Sequence, residues 1–88
     1  MTLREIIDNS GSAKGCPMDL KDLEVRDGEE ISKKVLFDYF ESSKFQNDVL
    51  SVMDKIHIAK DEGYDTFSLF FDSSEETPLS LKVSYHNL

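Results

Sequence analysis

The side chains able to do chemistry are few and lie far apart in the chain. Cys16 stands between Gly15 and Pro17 with Lys14 nearby, and a neighbouring cation can lower a thiol pKa toward the nucleophilic thiolate. No second cysteine offers a redox pair, and the spacing to His57 and His86 assigns neither as its base. Gly11, Lys14 and Gly15 are ingredients of a phosphate cradle. A P-loop, however, needs a longer Gly-to-Gly spacing, a Lys directly after the second Gly, a following Ser or Thr, and a preceding strand; all four are missing.

A metal site would have to gather Cys16, His57, His86 and acids from distant segments. None of these has the short ligand spacing of a zinc site, and DEGYD at 61–65 is too short for a calcium loop. No metal and no cofactor are expected. Carboxylate pairs occur at Glu29 and Glu30, Asp61 and Glu62, and Glu75 and Glu76, but general acid catalysis needs an environment that raises one carboxyl pKa. These pairs sit in polar stretches, so no catalytic residue is assigned and the chain is not expected to be an enzyme.

The elements that would position such groups follow from local signals. Thr2 with Glu5, Asp27 with Glu30, and Ser43 with Gln46 each pair an N-cap acceptor with a longer acid or amide three residues on, which marks three helix starts. The first helix carries the apolar patch Leu3, Ile6 and Ile7 and closes at Asn9-Ser10-Gly11. Residues 10–17, SGSAKGCP, have the composition of a flexible loop. Residues 18–26 suit one helical turn through Leu20 and Leu23, or a short strand through Leu23 and Val25. A hairpin turning at Asp27-Gly28 is disfavoured, because Val25 would face Glu30 and Ile31 would face Glu24.

A helix is expected from about Glu29 to Glu41, supported by Glu29 with Lys33 and Glu30 with Lys34 at i, i+4. Its stripe is Ile31, Val35, Leu36, Tyr39 and Phe40. A second helix is expected from near Lys44 to about Asp61, with Phe45, Val49, Val52, Met53 and Ile56 on one face and Gly63 beyond its end. Val35, Ser42, Val49 and Ile56 share a heptad phase, so one continuous helix over 29–61 is the alternative to a break at Ser42-Ser43. Beyond Gly63 the apolar period becomes two. Phe67, Leu69 and Phe71, then Leu79, Leu81, Val83 and Tyr85, define two strands joined by the polar run DSSEETP at 72–78. The fold class is therefore α+β: two or three helices packed on one face of a C-terminal antiparallel β-hairpin, with room for a third short strand near residues 20–26. With 88 residues and no long linker, the whole chain is expected to form one small domain.

Charge supplies the functional argument. The chain has 18 acids against 10 Lys and Arg, a formal net charge of -8. Residues 1–30 carry a net -4, residues 31–60 a net +1, and residues 61–88 a net -5. Phosphate contact wants clustered Lys and Arg, and Lys82 is alone in the last 28 residues, so direct nucleic-acid binding is disfavoured. No apolar run spans a membrane. The lone cysteine and the absence of an apolar leader in MTLREIIDNS point to the cytoplasm.

An acidic surface attracts a basic one. The leading expectation is an acidic protein-binding or inhibitory module that occupies a basic surface of a partner, with imitation of nucleic-acid charge as its sharpest form. Asp61, Glu62, Asp65, Asp72, Glu75 and Glu76 are the candidate acidic contacts. Phe37, outside its helix's main stripe, and Phe70, on the opposite sheet face from Phe67, Leu69 and Phe71, are the candidate apolar anchors. The alternative is a homo-oligomeric structural or assembly component with Phe37 and Phe70 buried between copies. For the acidic reading, reversing Asp72, Glu75 and Glu76 to Lys slows association and rising salt weakens the complex; stopped-flow rates indifferent to both would overturn it.

Overall fold

The computed structural model describes residues 1–10, 16–26, 31–73 and 79–87. Helix α1 (Leu3–Ser10) starts at the expected cap, where the Thr2 hydroxyl accepts the Glu5 N–H at 3.3 Å. The next segment contains both alternatives read from its sequence. A single turn, α2 (Met18–Lys21), follows Pro17 and buries Leu20, and β1 (Val25–Arg26) comes directly after it. The expected loop at 10–17 lies for the most part outside the described residues.

Helix α3 (Lys33–Phe40) begins later than the sequence suggested. Its N-cap is Ser32, whose hydroxyl accepts the Val35 N–H at 3.3 Å; the Asp27 cap, Glu29 and Glu30 lie outside the described residues. Ile31 thus precedes the helix and packs on the core from outside it. The stripe narrows to Leu36, Tyr39 and Phe40, and Val35, expected within it, is 47% exposed. The chain breaks at the expected place. Helix α4 (Ser43–Asp61) is capped by Ser42 rather than Ser43, because the Ser42 hydroxyl accepts the Phe45 N–H. It ends at Glu62, and Gly63 takes the positive φ of 98° that releases the chain into the sheet.

Strands β2 (Thr66–Asp72) and β3 (Ser80–His86) form the expected antiparallel pair, with Leu69 opposite Val83 and Phe71 opposite Leu81. Strand β1 lies on the other side of β2 and runs parallel to it, with Val25 beside Leu69. The fold is α+β, with the helices packed against a three-stranded mixed sheet. Alternation sends Val25, Leu69, Phe71 and Leu81 into the core beneath the helices. Phe70 falls on the opposite face in a row with Arg26 and Lys82.

An aromatic group fills the space between α3, α4 and the sheet. The Phe40 and Phe45 rings lie 4.9 Å apart at 76°, and Tyr39 stands edge-on to Phe45 at 5.3 Å and to Phe71 at 6.1 Å. Each such pair adds roughly 0.5 to 1.5 kcal/mol beyond burial of area. Tyr39 also carries a polar handle. Leu69 donates its N–H to Glu24 on the β1 side, so the alternation of the ladder turns the Leu81 N–H away from β2. Tyr39 accepts that N–H at 2.9 Å and donates its own hydroxyl to Asp48 at 2.7 Å. Lys44 completes the group, reaching Asp48 at 3.1 Å and the Ser80 hydroxyl at 2.8 Å.

Burial first, and then the hydrogen bond and charge of Asp48, push the Tyr39 hydroxyl well above the ordinary tyrosine range. An unfolded tyrosine ionises near pH 10, whereas folded Tyr39 keeps its proton, so this contribution is complete below about pH 10 and fades as pH rises. Tyr39→Phe should cost about 1 to 3 kcal/mol at neutral pH, because Asp48 loses a charge-assisted hydrogen bond and the Leu81 N–H keeps only its longer contact with Asp48, at 3.3 Å. Urea titrations should also show a shallower loss of stability above about pH 10 in the variant than in the parent; equal slopes would show that Tyr39 does not carry the effect.

Candidate functional site

The surface feature most distinct from the rest is an apolar groove between α4 and the strap of residues 17–23. One wall arises because α4 carries two adjacent stripes. At roughly 100° per residue, Phe45, Val49, Val52, Ile56 and Ala59 face the core, and Gln46, Leu50, Met53, His57 and Lys60 follow one step around the helix. The second stripe contains apolar residues that the core does not cover: Leu50 is 62% exposed and Met53 is 41% exposed.

The other wall is built by local hydrogen bonds. Pro17 has φ -62° and ψ 145°, and its carbonyl accepts the Leu20 N–H; Leu20 in turn accepts the Leu23 N–H. The resulting turn drives Leu20 into the core and leaves Met18 62% exposed. The Leu23 carbonyl accepts the Leu3 N–H, and Arg4 reaches Asp22 at 3.3 Å, so α1 holds the strap from behind.

Two cavities lie along this groove. One, of about 270 Å³, is bounded by Pro17, Gln46, Val49, Leu50 and Met53. The other, of about 200 Å³, is bounded by Pro17, Asp19, Leu20, Leu23, Met53, Ile56, His57, Lys60 and Phe67. Pro17 and Met53 belong to both, which makes the feature continuous. The Lys60 ammonium lies 5.9 Å from the centre of the Phe67 ring. A third, more open hollow of about 330 Å³ beside α3 is lined by Tyr39 and Lys44, whose polar atoms are already engaged with Asp48, Leu81 and Ser80.

The residues singled out in the sequence do not converge. Asp61, Glu62 and Asp65 sit together at the α4–β2 turn, where Asp61 lies 3.9 Å from His57 and Asp65 accepts the Thr66 hydroxyl at 3.2 Å. Asp72 is at the far end of the seven-residue β2 and pairs with Lys82 at 2.9 Å. At ~3.3 Å per residue the two places are about 20 Å apart. Glu75 and Glu76 lie outside the described residues. Phe37 is exposed on α3 at 41%, and Phe70 is half-buried on the open face of the sheet. Neither lines the groove.

Cys16 is half-buried, its thiol directed at the Pro17 carbonyl at 3.8 Å. Burial pushes the thiol up, and Lys21 and Arg4 offset this only in part, so its surroundings oppose thiolate formation. Among the described residues, no group of three His, Cys, Asp or Glu side chains could hold a metal ion, and no helix is long and apolar enough to cross a membrane.

Fold and groove together define a small α+β protein with an apolar channel, left uncovered by the described residues, along its longest helix. Comparison with known proteins finds no matching family model, no matching curated protein and no matching solved structure. The two stripes of α4 should respond unequally to mutation. Leu50→Lys or Met53→Lys should shift stability by no more than about 0.5 kcal/mol, whereas Phe45→Ala, one step around α4, should cost about 3 to 5 kcal/mol. Urea midpoints decide the matter, and a large loss in Leu50→Lys would place that residue in the core instead.

Proposed function

We propose that this protein is a small binding module that acts by occupying the surface of another protein, with the groove between α4 and residues 17–23 as its contact site. The observation that carries this reading is the continuous run of Pro17, Leu50, Met53 and Phe67 along two adjoining cavities beside α4. Contiguous apolar surface rimmed by polar groups is characteristic of interfaces. Methionine suits such a site, because its flexible thioether adapts to the shape placed against it.

The acidity of the chain supports a basic partner and speeds encounter with it. Asp61, Glu62 and Asp65 form the acidic cluster best placed to take part, since Asp61 lies on the turn of α4 that follows the groove. Imitation of nucleic-acid charge has less support: Asp72 is already paired with Lys82, and the two acidic positions stand at opposite ends of β2. The module is proposed to work in the cytoplasm, where an unpaired Cys16 thiol persists, and its effect on the partner is steric, as an inhibitor or accessory subunit.

A photo-crosslinking residue placed at Leu50 should yield a discrete adduct in lysate of the source cell, and the same residue at Lys82 on the open sheet face should not. Equal labelling from both positions would remove the groove from the interface.

A further inference from the structure

We infer that the occupant of the groove is a basic amphipathic helix, laid alongside α4 with apolar residues seven positions apart. This rests on the groove being a contact site and names the chemistry of what fills it. The argument begins with the α4 residues that bound the two cavities. One cavity is bounded by Gln46, Val49, Leu50 and Met53, the other by Met53, Ile56, His57 and Lys60. Each set has the spacing i, i+3, i+4, i+7, and the second is the first displaced by seven residues.

Four residues in that pattern form the hole into which a side chain of a neighbouring helix inserts in knobs-into-holes packing. Two holes in succession, seven residues apart, lie about 10.5 Å from one another at 1.5 Å per residue. A helix aligned near 20° to α4 brings its own residues i and i+7 to that separation. The strap closes the far side, so each knob would be enclosed by α4 and Pro17, and the second also by Leu20 and Phe67.

Charge selects the kind of helix. Asp54 and Asp61 are exposed on the flank of α4 just outside Leu50 and His57, and Asp19 is exposed on the opposite lip. Acids on both rims, on a chain with a net charge of -8, complement a helix whose apolar stripe is bordered by Lys or Arg. Lys60 is the exception. It lies at the α4 C-terminal end with its ammonium over the Phe67 ring, so the occupant's cations belong along the rims and away from that end.

The test uses the full chain and two synthetic 18-residue helices, each with Leu at heptad spacing, one with Lys flanking the Leu stripe and the other with Glu. The Lys peptide should bind, with amide chemical-shift changes centred on Leu20, Leu50, Met53 and Phe67, and at least tenfold more tightly than the Glu peptide. Met53→Lys should reduce binding of the Lys peptide at least tenfold with the fold intact. Lys60→Glu should strengthen it, an outcome that damage to the fold cannot produce. Equal affinity for both peptides, shifts centred on the open sheet face, or no binding would overturn the basic-helix assignment; a Leu50 crosslink to another protein would still support the groove as an interface. Concentration-dependent dimerisation abolished by Met53→Lys would instead identify a second copy as the occupant.

Discussion

The hydroxyl of Tyr39 is the point at which the three main parts of this structure are joined. It accepts the outward N–H of Leu81 from the sheet, donates to Asp48 on α4, and belongs itself to α3. Asp48 is also held by Lys44, which reaches Ser80 as well. A strand edge beside a helix would otherwise leave a backbone donor without water or a ladder partner, at a cost of ~1 to 3 kcal/mol. Satisfying it sets the height of α4 along β3 and, through the rigid helix, the position of the Leu50 and Met53 stripe. Ring packing of Tyr39 with Phe45 and Phe71 surrounds the same point with apolar contacts on its inner side, while Lys44 reaches it from the partly exposed side.

Much of this order was legible in the sequence, for reasons that are local. The Thr2 cap, the break at Ser42-Ser43, the end of α4 before Gly63 and the alternation in β2 and β3 each depend on a few neighbouring residues. The start of α3 was harder to read, because the Asp27 cap signal and the spacings of Glu29 with Lys33 and Glu30 with Lys34 pointed to an earlier start than Ser32, and the packing of Ile31 outside the helix is a tertiary effect. The parallel pairing of β1 was not legible either. Its two residues satisfy no pattern by themselves, and their partner is a strand that begins forty residues later in the chain, at Thr66.

The groove was hidden for a different reason. Met53 and Phe67 are apolar residues in apolar patterns, and nothing in a helical wheel or an alternating strand tells a covered position from an open one. What distinguishes them is the reach of residues 17–23, which stop short of closing over α4. The signal that was present is the second stripe of α4, Gln46, Leu50, Met53, His57 and Lys60, adjacent to the buried one. The charge pattern was informative in sum and less so in place. The C-terminal acids divide between the two ends of β2, and Asp72 is neutralised locally by Lys82, whereas Asp19 from the strap and Asp54 and Asp61 from α4 come to border one channel.

The parallel pairing of β1 with β2 bears on the order in which the molecule assembles. Val25 and Leu69 meet across half the length of the chain, whereas α3, α4, β2 and β3 are consecutive and can gather through shorter loops. Closing a long loop costs entropy before its contacts repay it, so the N-terminal strap is the natural last piece to dock. Until it does, the whole side of α4 from Gln46 to Lys60 is bare, and the nascent protein offers one broad sticky surface where the finished one offers a narrow slot. The two residues of β1 are therefore the latch that converts an aggregation hazard into a shaped recess.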